Sequence, residues 1–411
     1  MKVLMIGLEL PPDNSGGLGV ACYQLCKSLS KNGADIDFIL PYEPKHKYDF
    51  MNVVSSSKIT NKFLDGKINT IAGSATLSTY DSHLFNSAPY RRGWLNISAE
   101  PQDNYEAAVD VMTAKNVYDV IHAHDWMTFR AALRAKQKAN CPLIVHVHSI
   151  ERDRSAGLEG NPMVREIEAL TFMLADKIIA VSQRTKDMIS EDYFIPASKI
   201  DVLHNSLDLD DAIPLSGENA YFFLSEMKKL GWKVVTSAGR TTGQKGLPNF
   251  MHAAQAVVHK LPKTIFLFVG SGEQLHELME LSADLGIAKN VIFTGFQRGK
   301  NWRDAFAIAD LFVMPSISEP FGLTPFEAVG YGTPAMISKQ SGISEVFANC
   351  LKIDFWDINE MANQIASVLS YDSLRDELHA NSWQEYAKLS WDSAAIKLLG
   401  TYERQMAVNH G

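Results

Sequence analysis

The chain has 411 residues, of which 46% are hydrophobic and 21% are charged, and its formal net charge is −8 at pH 7. This length is too great for one compact core, so two domains are expected. The negative balance argues against a nucleic-acid partner, although local cations can still hold a small anionic ligand. No apolar run reaches the roughly 18 residues of a membrane span. We expect a cytoplasmic protein without an integral membrane segment, and its cysteines are interpreted as buried, reduced thiols: Cys22, Cys26, Cys141 and Cys350.

The first half of the chain alternates short β-branched runs with amphipathic segments. Between the first two runs, Leu18, Cys22 and Leu25 keep a helical period, and Gly33 supplies the end of that helix. After the second run the chain is less periodic, which predicts an irregular excursion over residues 43–105. The predicted strands are Val3–Leu10, Ile36–Pro41, Val120–His124, Leu143–His148, Lys177–Val181 and Asp201–His204.

The second half repeats this alternation. Helices are predicted over Leu247–Leu261 and Glu273–Leu285, and a last helix begins at Trp391. Apolar strands joined by helices indicate parallel sheets that are covered on both faces. The predicted strands are Lys233–Ala238, Ile265–Val269, Val291–Thr294, Leu311–Met314 and Ala335–Ile337.

Two such series predict an α/β protein with two doubly wound, Rossmann-like domains that face each other across a cleft. The boundary is expected near Leu207–Leu215, where Asp208, Asp210 and Asp211 are interpreted as linker charge. One domain then comprises residues 1–208 plus 391–411, and the other comprises residues 209–390.

Unusual polar residues follow the predicted strands at their carboxyl ends, where open parallel sheets bind ligands. A glycine pair precedes the first helix. Its missing side chains let a phosphate or sugar approach the helix N-terminus, and the alternative is a flexible turn only. A dinucleotide fingerprint is disfavoured, because six residues separate Leu10 from Gly17. The residues at the strand ends are Gly16, Gly17, His124, Asp125, Trp126, His148, Arg240 and Glu319.

Arg240 and Lys245 lie in one strand–loop–helix turn. Two cations placed in this way can converge on one diphosphate, since Arg bridges two oxygens and Lys acts as a point charge. The alternative interpretation is a pair of solvated surface cations.

The segment from Glu319 to Glu327 carries two carboxylates, and only one of them has a structural interpretation beside a functional one. Thr324 fits a helix N-cap and Glu327 falls where a capping box places a carboxylate, so Glu327 has a structural interpretation. Glu319 caps nothing in the sequence pattern and is predicted to accept hydrogen bonds from sugar hydroxyls. The backbone amides of Phe321, Gly322 and Leu323 are predicted to face the same pocket.

Four histidines lie at alternate positions of two strands, so each pair shares one face of the sheet. No Cys or carboxylate set in the sequence completes a metal site with them, and no metal is predicted. For His148 alone, a satisfied strand-end histidine is the alternative interpretation. The four are His122, His124, His146 and His148.

Taken together, these segments resemble the family-four retaining glycosyltransferases of GT-B fold, and within them the glycogen and starch synthase-like members. The glutamate pair with seven residues between its members and Pro-Phe-Gly inside is the most specific match. Two departures weaken a specific match to glycogen synthase: Asn14 stands where a lysine is usual, and Ser341 replaces the first glycine of a turn. The matching segments are 10–19, 122–126, 145–149, 202–208, 239–246, 319–327 and 341–345.

The resemblance implies a nucleotide-diphosphate sugar donor (UDP-, ADP- or GDP-sugar), held mainly by the C-terminal domain, and a glycan or small hydroxyl acceptor on the side of the N-terminal domain. It implies no cofactor and no metal. The residues it assigns to catalysis are His148, Glu319, Arg240 and Lys245. The donor-binding residues it implies are Gly17, Arg240, Lys245, Glu319, Phe321, Gly322, Leu323 and Glu327. The acceptor-side residues are Gly16, His124, Asp125 and Trp126.

The predicted activity is transfer of a hexosyl group, expected to be glucosyl, with retention and without a metal ion. No carboxylate pair stands out as nucleophile and acid, and none is needed, because a nucleotide diphosphate is a good leaving group whose charge the cations stabilise. Two alternatives stay open on the sequence alone. They are a sugar-nucleotide epimerase and a non-catalytic sugar-nucleotide-binding protein.

Overall fold

The computed structural model describes residues 1–14, 16–57, 59, 105–207, 215, 217–386, 388 and 390–409. The chain divides into two compact units, Met1–Ser206 with Trp391–Gly411, and Leu207–Ser390. Asp208, Asp210 and Asp211, which the sequence places in the linker, lie outside the described residues.

The first unit is built on a parallel sheet with the strand order β3-β2-β1-β4-β5-β6-β7. Every residue of β4 and β5 is buried, as expected for central strands that are covered on both faces. The strands are β1 (Lys2–Ile6), β2 (Asp35–Leu40), β3 (Asn52–Ser55), β4 (Val120–His124), β5 (Leu143–Val147), β6 (Lys177–Ala180) and β7 (Ile200–Val202).

The second unit has its own parallel sheet with the order β10-β9-β8-β11-β12-β13. Its strands are β8 (Lys233–Ala238), β9 (Thr264–Val269), β10 (Val291–Phe293), β11 (Leu311–Met314), β12 (Ala335–Ser338) and β13 (Leu351–Ile353). In both sheets the order reverses next to the first strand, which is the switch point of a doubly wound fold.

Helices connect the strands in both units, and residues 105–115 are helical as well. The helices are α1 (Gly17–Lys31), α2 (Trp126–Ala139), α3 (Glu151–Arg154), α4 (Pro162–Leu174), α5 (Gln183–Tyr193), α6 (Phe222–Lys229), α7 (Leu247–Lys260), α8 (Leu275–Asp284), α9 (Gly299–Ala307), α10 (Thr324–Gly330), α11 (Ile358–Ser370), α12 (Asp372–Tyr386) and α13 (Trp391–Asn409).

Helix α13 returns to the first unit and packs against α1. Its Trp391, Leu398 and Tyr402 are buried in the same hydrophobic core as Leu25 and Leu29 of α1. In the second unit, α7 and α11 pack on each other over the sheet. No helix among the described residues is long and apolar enough to cross a membrane.

The predicted fold class is confirmed, since both sheets are parallel and joined by helices. Two strands were not predicted. Strand β3 lies inside the predicted irregular excursion, and β13 was missed because its three residues are too short to show a period. The rest of that excursion, residues 60–104, lies outside the described residues. Strand β1 ends at Ile6, four residues before the predicted end.

Candidate active site

The glycine loop leads directly into α1, as predicted. Gly16 is extended and Gly17 is the first residue of the helix. The backbone N–H of Gly19 donates to Glu9 Oε1 at 3.2 Å. A Cβ at Gly19 would stand 2.6 Å from the Cβ of Asn14, so this position requires glycine. The loop before the helix therefore folds back onto its first turn.

The four histidines of β4 and the β5 strand end lie on one face of the sheet, which we call the histidine face (His122, His124, His146 and His148). Their rings stack, with centroids 4.6 Å apart in the β4 pair and 4.4 Å apart in the β5 pair. Burial lowers the pKa of His122 and of His148 to about 3, with a smaller contribution to His122 from the neighbouring His148. The pKa values of His124 and His146 are lowered well below the usual range for the same reason. All four rings are neutral near pH 7.

Three contacts order this face. His124 Nδ1 lies 3.0 Å from His148 Nε2, and His124 Nε2 lies 3.1 Å from Met5 Sδ. His122 Nδ1 is hydrogen-bonded to the hydroxyl of Tyr402 on α13. Neither ring nitrogen of His146 has a partner among the described residues. One ring nitrogen of His148 thus has a hydrogen-bond partner within the protein, as expected if His148 is a satisfied strand-end histidine.

Asp125 and Trp126 follow β4 but have different surroundings. Asp125 has a positive φ of 59°, and its Oδ1 accepts hydrogen bonds from the backbone N–H groups of His148 (2.7 Å) and Ser149 (3.3 Å). Burial raises the pKa of Asp125 to about 7, although Arg154 and the two amides act against this rise. Trp126 is 1% exposed and belongs to the hydrophobic core, so its acceptor-side role stays a prediction.

A buried ion-pair cluster in the segments that follow β5 was not predicted. The Arg154 guanidinium contacts Glu151 (3.0 Å) and Glu168, and all three side chains are almost fully buried. Arg154 also donates to the carbonyl of Ser149 at 3.0 Å, next to His148. The local sequence Glu-Arg-Asp-Arg is typical of an exposed helix, so nothing in it indicated that this arginine is internal.

The sequence pattern indicated no cysteine beside the four histidines, but the fold places one there. Helix α1 brings Cys22 to the histidine face, and one ligand atom from each of Cys22, His124 and His148 lies within 4.8 Å of the others. His122, His124 and His146 form a second such group. The facing nitrogens of His124 and His148 are already at hydrogen-bonding distance, so the two rings share a proton directly.

In the second unit, the loop after β8, residues 239–246, carries Arg240 and Lys245, and we name it the phosphate loop after the role predicted for these two residues. It is held by backbone contacts that exclude side chains. A Cβ at Gly270 would stand 1.7 Å from the carbonyl oxygen of Gly239, and one at Gly246 would stand 2.3 Å from that of Pro315. The N–H of Ile317 also donates to the carbonyl of Gln244 at 2.8 Å. Both ends of the phosphate loop are thus fixed against the carboxyl ends of β9 and β11.

Arg240 and Lys245 line one small pocket at this sheet edge. Lys245 Nζ forms an ion pair with the carboxylate of Glu319, which also accepts a hydrogen bond from Ser316 Oγ at 3.1 Å. The N–H of Glu319 donates to Gln340 O at 3.2 Å. Glu319 thus has two side-chain partners, Lys245 and Ser316, which the sequence pattern did not indicate.

The turn after Glu319 is also sterically constrained. Gly322 has a φ of 96°, and a Cβ there would stand 2.8 Å from Met314 Cε. Phe321 is buried, and its carbonyl accepts from the N–H of Ile343 at 2.8 Å. Phe321, Gly322 and Leu323 do not line the described pocket of Arg240 and Lys245, so their contact with a donor stays a prediction.

The predicted capping box of α10 is wrong. Leu323 occupies the N-cap position, Thr324 is the first helical residue, and no side chain among the described residues caps the helix. Glu327 is half-buried and accepts a long hydrogen bond of 3.5 Å from the indole of Trp302. Burial raises the pKa of Glu327 to about 7, and the indole acts against this rise. The helix start lies one residue earlier than predicted, so Glu327 has lost its structural explanation.

Two family models match consecutive parts of the chain. The Glycosyltransferase Family 4 model matches residues 15–211, and the model for glycosyl transferases group 1 matches residues 224–388. These ranges correspond to the two sheet-based units. The chain belongs to the family-four glycosyltransferases of GT-B fold.

Relatives of this glycosyltransferase match it over nearly its whole length. An uncharacterized glycosyltransferase of Methanocaldococcus jannaschii is 27% identical and covers 99% of both chains. A glycogen synthase of Mycobacterium tuberculosis is 25% identical over 85% of this chain and 80% of its own. The structure of a sucrose-phosphate synthase from Thermosynechococcus elongatus matches with a TM-score of 0.76 at 18% identity, over 99% of both chains. This last likeness shows the fold alone.

Proposed function

We propose that this glycosyltransferase transfers a glucosyl group with retention from a nucleotide-diphosphate glucose to a glycan or another hydroxyl acceptor, in the cytoplasm. The observation that carries the proposal is the ion pair of Lys245 with Glu319, beside Arg240, on a backbone that glycines clamp at both ends. A cation in this setting is fixed before any ligand arrives. Fixed positive charge stabilises the negative charge that develops on a leaving diphosphate.

In this proposal Arg240 and Lys245 bind the diphosphate, and Glu319 accepts hydrogen bonds from sugar hydroxyls. Glu327 accepts one from the ribose and His148 contacts the transferred sugar. The glycosidic bond to phosphate breaks and the acceptor oxygen bonds to the same face of the anomeric carbon. The acceptor's proton passes to the leaving phosphate. The two cations take the role that a divalent ion has in other transferases, so no metal is required.

The acceptor is the least constrained part of the proposal. The similar proteins include a glycogen synthase and a sucrose-phosphate synthase by name, which indicates that both a polysaccharide and a small phosphorylated sugar deserve testing. The cysteines Cys22, Cys26, Cys141 and Cys350 are all unpaired, which supports a reducing compartment.

The test is incubation of the full chain with radiolabelled UDP-glucose, ADP-glucose and GDP-mannose, each with and without a glucan and a sugar phosphate. We expect nucleotide release that depends on acceptor, and a product whose anomeric proton coupling matches that of the donor. Isomerised donor without transfer indicates an epimerase, and tight binding without turnover indicates a non-catalytic protein. An inverted product contradicts the retaining mechanism.

A further inference from the structure

The ring of His148 is joined to Met5 through His124, and this chain of contacts has a direction. Met5 lies on β1, which pairs with β4 so that Met5 stands opposite His122. Its thioether sulfur reaches His124 Nε2 at 3.1 Å, while His124 Nδ1 reaches His148 Nε2 at 3.0 Å. The ring centroids of His124 and His148 are 5.3 Å apart, so the two rings meet edge to edge, with these two nitrogens between their centres. This is the alignment of a direct N–H···N hydrogen bond.

The sulfur determines which nitrogen donates. A thioether can only accept a hydrogen bond, whereas a neutral imidazole has one donor nitrogen and one acceptor nitrogen. His124 is fully buried and neutral, so its Nε2 carries the proton toward Met5 and its Nδ1 is the acceptor. His148 Nε2 must then carry a proton and donate it to His124. The opposite direction places two lone pairs 3.1 Å apart in a buried site, where water cannot separate them.

The backbone of His148 is held as well. Asp125 Oδ1 accepts its N–H at 2.7 Å, and Asp125 itself is fully buried. The side chain of His148 is thus oriented by His124, the last residue of β4, and its main chain by Asp125, which follows that strand. The remaining ring nitrogen, Nδ1, has no hydrogen bond to any described residue, which leaves it to a ligand.

We propose that His148 presents an unprotonated Nδ1 as a hydrogen-bond acceptor to a hydroxyl of the transferred sugar, and that His124 and Met5 are positioning residues that fix this polarity. The proposal rests on the proposed function, because it takes His148 as the residue that contacts the sugar. It adds a direction to that contact: the sugar hydroxyl donates and the protein accepts.

The first test reads the tautomer without any substrate. The full chain is labelled with ¹⁵N-histidine, and two-bond proton–nitrogen correlations of His148 are recorded near pH 7. We expect the pattern of the Nε2–H form alone. A His148 signal of the Nδ1–H form overturns the proposal, whatever the outcome of the activity assays.

The second test removes each positioning group with a side chain of similar size. Met5→Leu and His124→Leu should convert the single His148 pattern into a mixture, and each should lower kcat/KM by about tenfold, the effect of one hydrogen bond. His146→Leu is the matched control, because His146 stacks on His148 at 4.4 Å but has no hydrogen bond to any described residue. It should leave the His148 pattern unchanged. Identical His148 spectra in all three variants contradict the roles of Met5 and His124.

The third test reads the direction of the bond from the donor sugar. Each hydroxyl of the donor is replaced in turn by hydrogen and by fluorine, which can accept a weak hydrogen bond but cannot donate one. At the hydroxyl that His148 contacts, the deoxy and the fluoro analogue should lower kcat/KM by the same factor relative to the unmodified donor. In His148→Ala, both analogues should have the same kcat/KM as the unmodified donor. If fluorine rescues what hydrogen loses, His148 donates and the proposal is wrong. If no donor reacts at all, the proposed function has failed while the tautomer result still stands.

Discussion

The histidine face in the first unit and the phosphate loop in the second unit both place ionisable side chains at the carboxyl edge of a parallel sheet, but they treat charge in opposite ways. On the histidine face four rings are buried and neutral, and His122, His124 and His148 are ordered by hydrogen bonds within the face, to Met5 and to Tyr402. In the phosphate loop the ammonium group of Lys245 is paired with the carboxylate of Glu319 and remains partly exposed, at 21% of its side chain.

The difference in charge between the two regions follows from the surroundings of the ionisable groups. Desolvation alone suppresses charge, whereas a nearby carboxylate restores it. A neutral imidazole gives directional donors and acceptors, which suits the recognition of hydroxyls. A fixed ammonium group gives long-range attraction, which suits a diphosphate. The two regions should therefore respond differently to mutation, to pH and to metal removal.

The largest effect is expected at the phosphate loop. Lys245→Ala should lower donor turnover by at least ~10², because it removes charge stabilisation that acts mainly in the transition state. Lys339→Ala is the control, because Lys339 forms an exposed ion pair with Asp354 at 2.8 Å. This variant should have normal donor turnover. Steady-state kinetics on folded protein measure both. Normal turnover in folded Lys245→Ala removes the assignment.

Glu319→Gln should also lower turnover strongly, by roughly tenfold or more, because it weakens both the sugar contact and the position of Lys245. The structure adds that the two residues act as a unit, so the double variant with Lys245→Ala should lose no more than Lys245→Ala alone. The partly buried pair should contribute about 1 kcal/mol to the free energy of unfolding. Strictly multiplicative losses in the double-mutant cycle would show that the ion pair is incidental.

Glu327→Gln should weaken donor binding by roughly tenfold if the ribose contact is real. Its melting temperature should hardly change, because Glu327 caps nothing and the loss of a true cap costs ~1 kcal/mol. Isothermal calorimetry with the nucleotide and thermal melting separate the two roles. Unchanged affinity together with earlier melting contradicts the binding role.

The histidine face should make the protein labile to acid. The pKa of His146 is lowered well below 6.5 by burial, so below that pH the unfolded chain takes up a proton that the folded protein refuses. His146→Leu should therefore gain about 2 kcal/mol of unfolding free energy over the wild type on going from pH 8 to pH 5. Denaturant titrations at both pH values measure this gain, and His276→Gln, which removes an exposed histidine, is measured beside it for comparison.

Asp125 acts in the opposite direction, because its pKa is raised to about 7 and its stabilising effect is lost as the pH rises through that value. Because Asp125 is present in both His146→Leu and wild type, its contribution cancels when the two proteins are compared at one pH. If the unfolding free energies of His146→Leu and wild type differ by the same amount at pH 8 and at pH 5, His146 takes up its proton in the folded protein as it does in the unfolded chain.

The smallest effect is expected from chelation. Turnover should be unchanged by EDTA, since in the proposed mechanism Arg240 and Lys245 supply the positive charge at the diphosphate. The grouping of Cys22, His124 and His148 sharpens this experiment. Loss of activity that manganese restores contradicts the metal-free mechanism at the donor, whereas loss of folded protein that zinc restores indicates an ion bound at the histidine face.

The elements that were predicted well are those whose hydrophobic pattern is local. Strands β4, β8 and β11 begin and end where the sequence indicated, because apolar runs there are bounded by turn residues. The start of α1 after the glycine pair was predicted for the same reason. Short edge strands such as β3 and β13 have too few residues to show a period.

Contacts between distant segments were beyond sequence reasoning. Lys245 and Glu319 are 74 positions apart, and their pairing depends on the close approach of Gly246 to Pro315. Cys22 meets the histidines only because α1 crosses that face of the sheet. The internal Arg154 was missed because a charged tetrapeptide has the same pattern whether it is solvated or buried. For Thr324 a shift of one residue in the helix start was enough to make the predicted cap wrong.

The return of α13 to the first unit affects how the protein is made on the ribosome. Tyr402 and Trp391 cover the core beside His122, yet they are synthesised only after the whole of Leu207–Ser390. At about 5–20 residues per second, the nascent first unit waits on the order of ten seconds or more with this part of its core uncovered. During that interval the second unit is itself being synthesised. The segment that is translated first is thus among the last to become fully native, and chaperones have time to bind its open face.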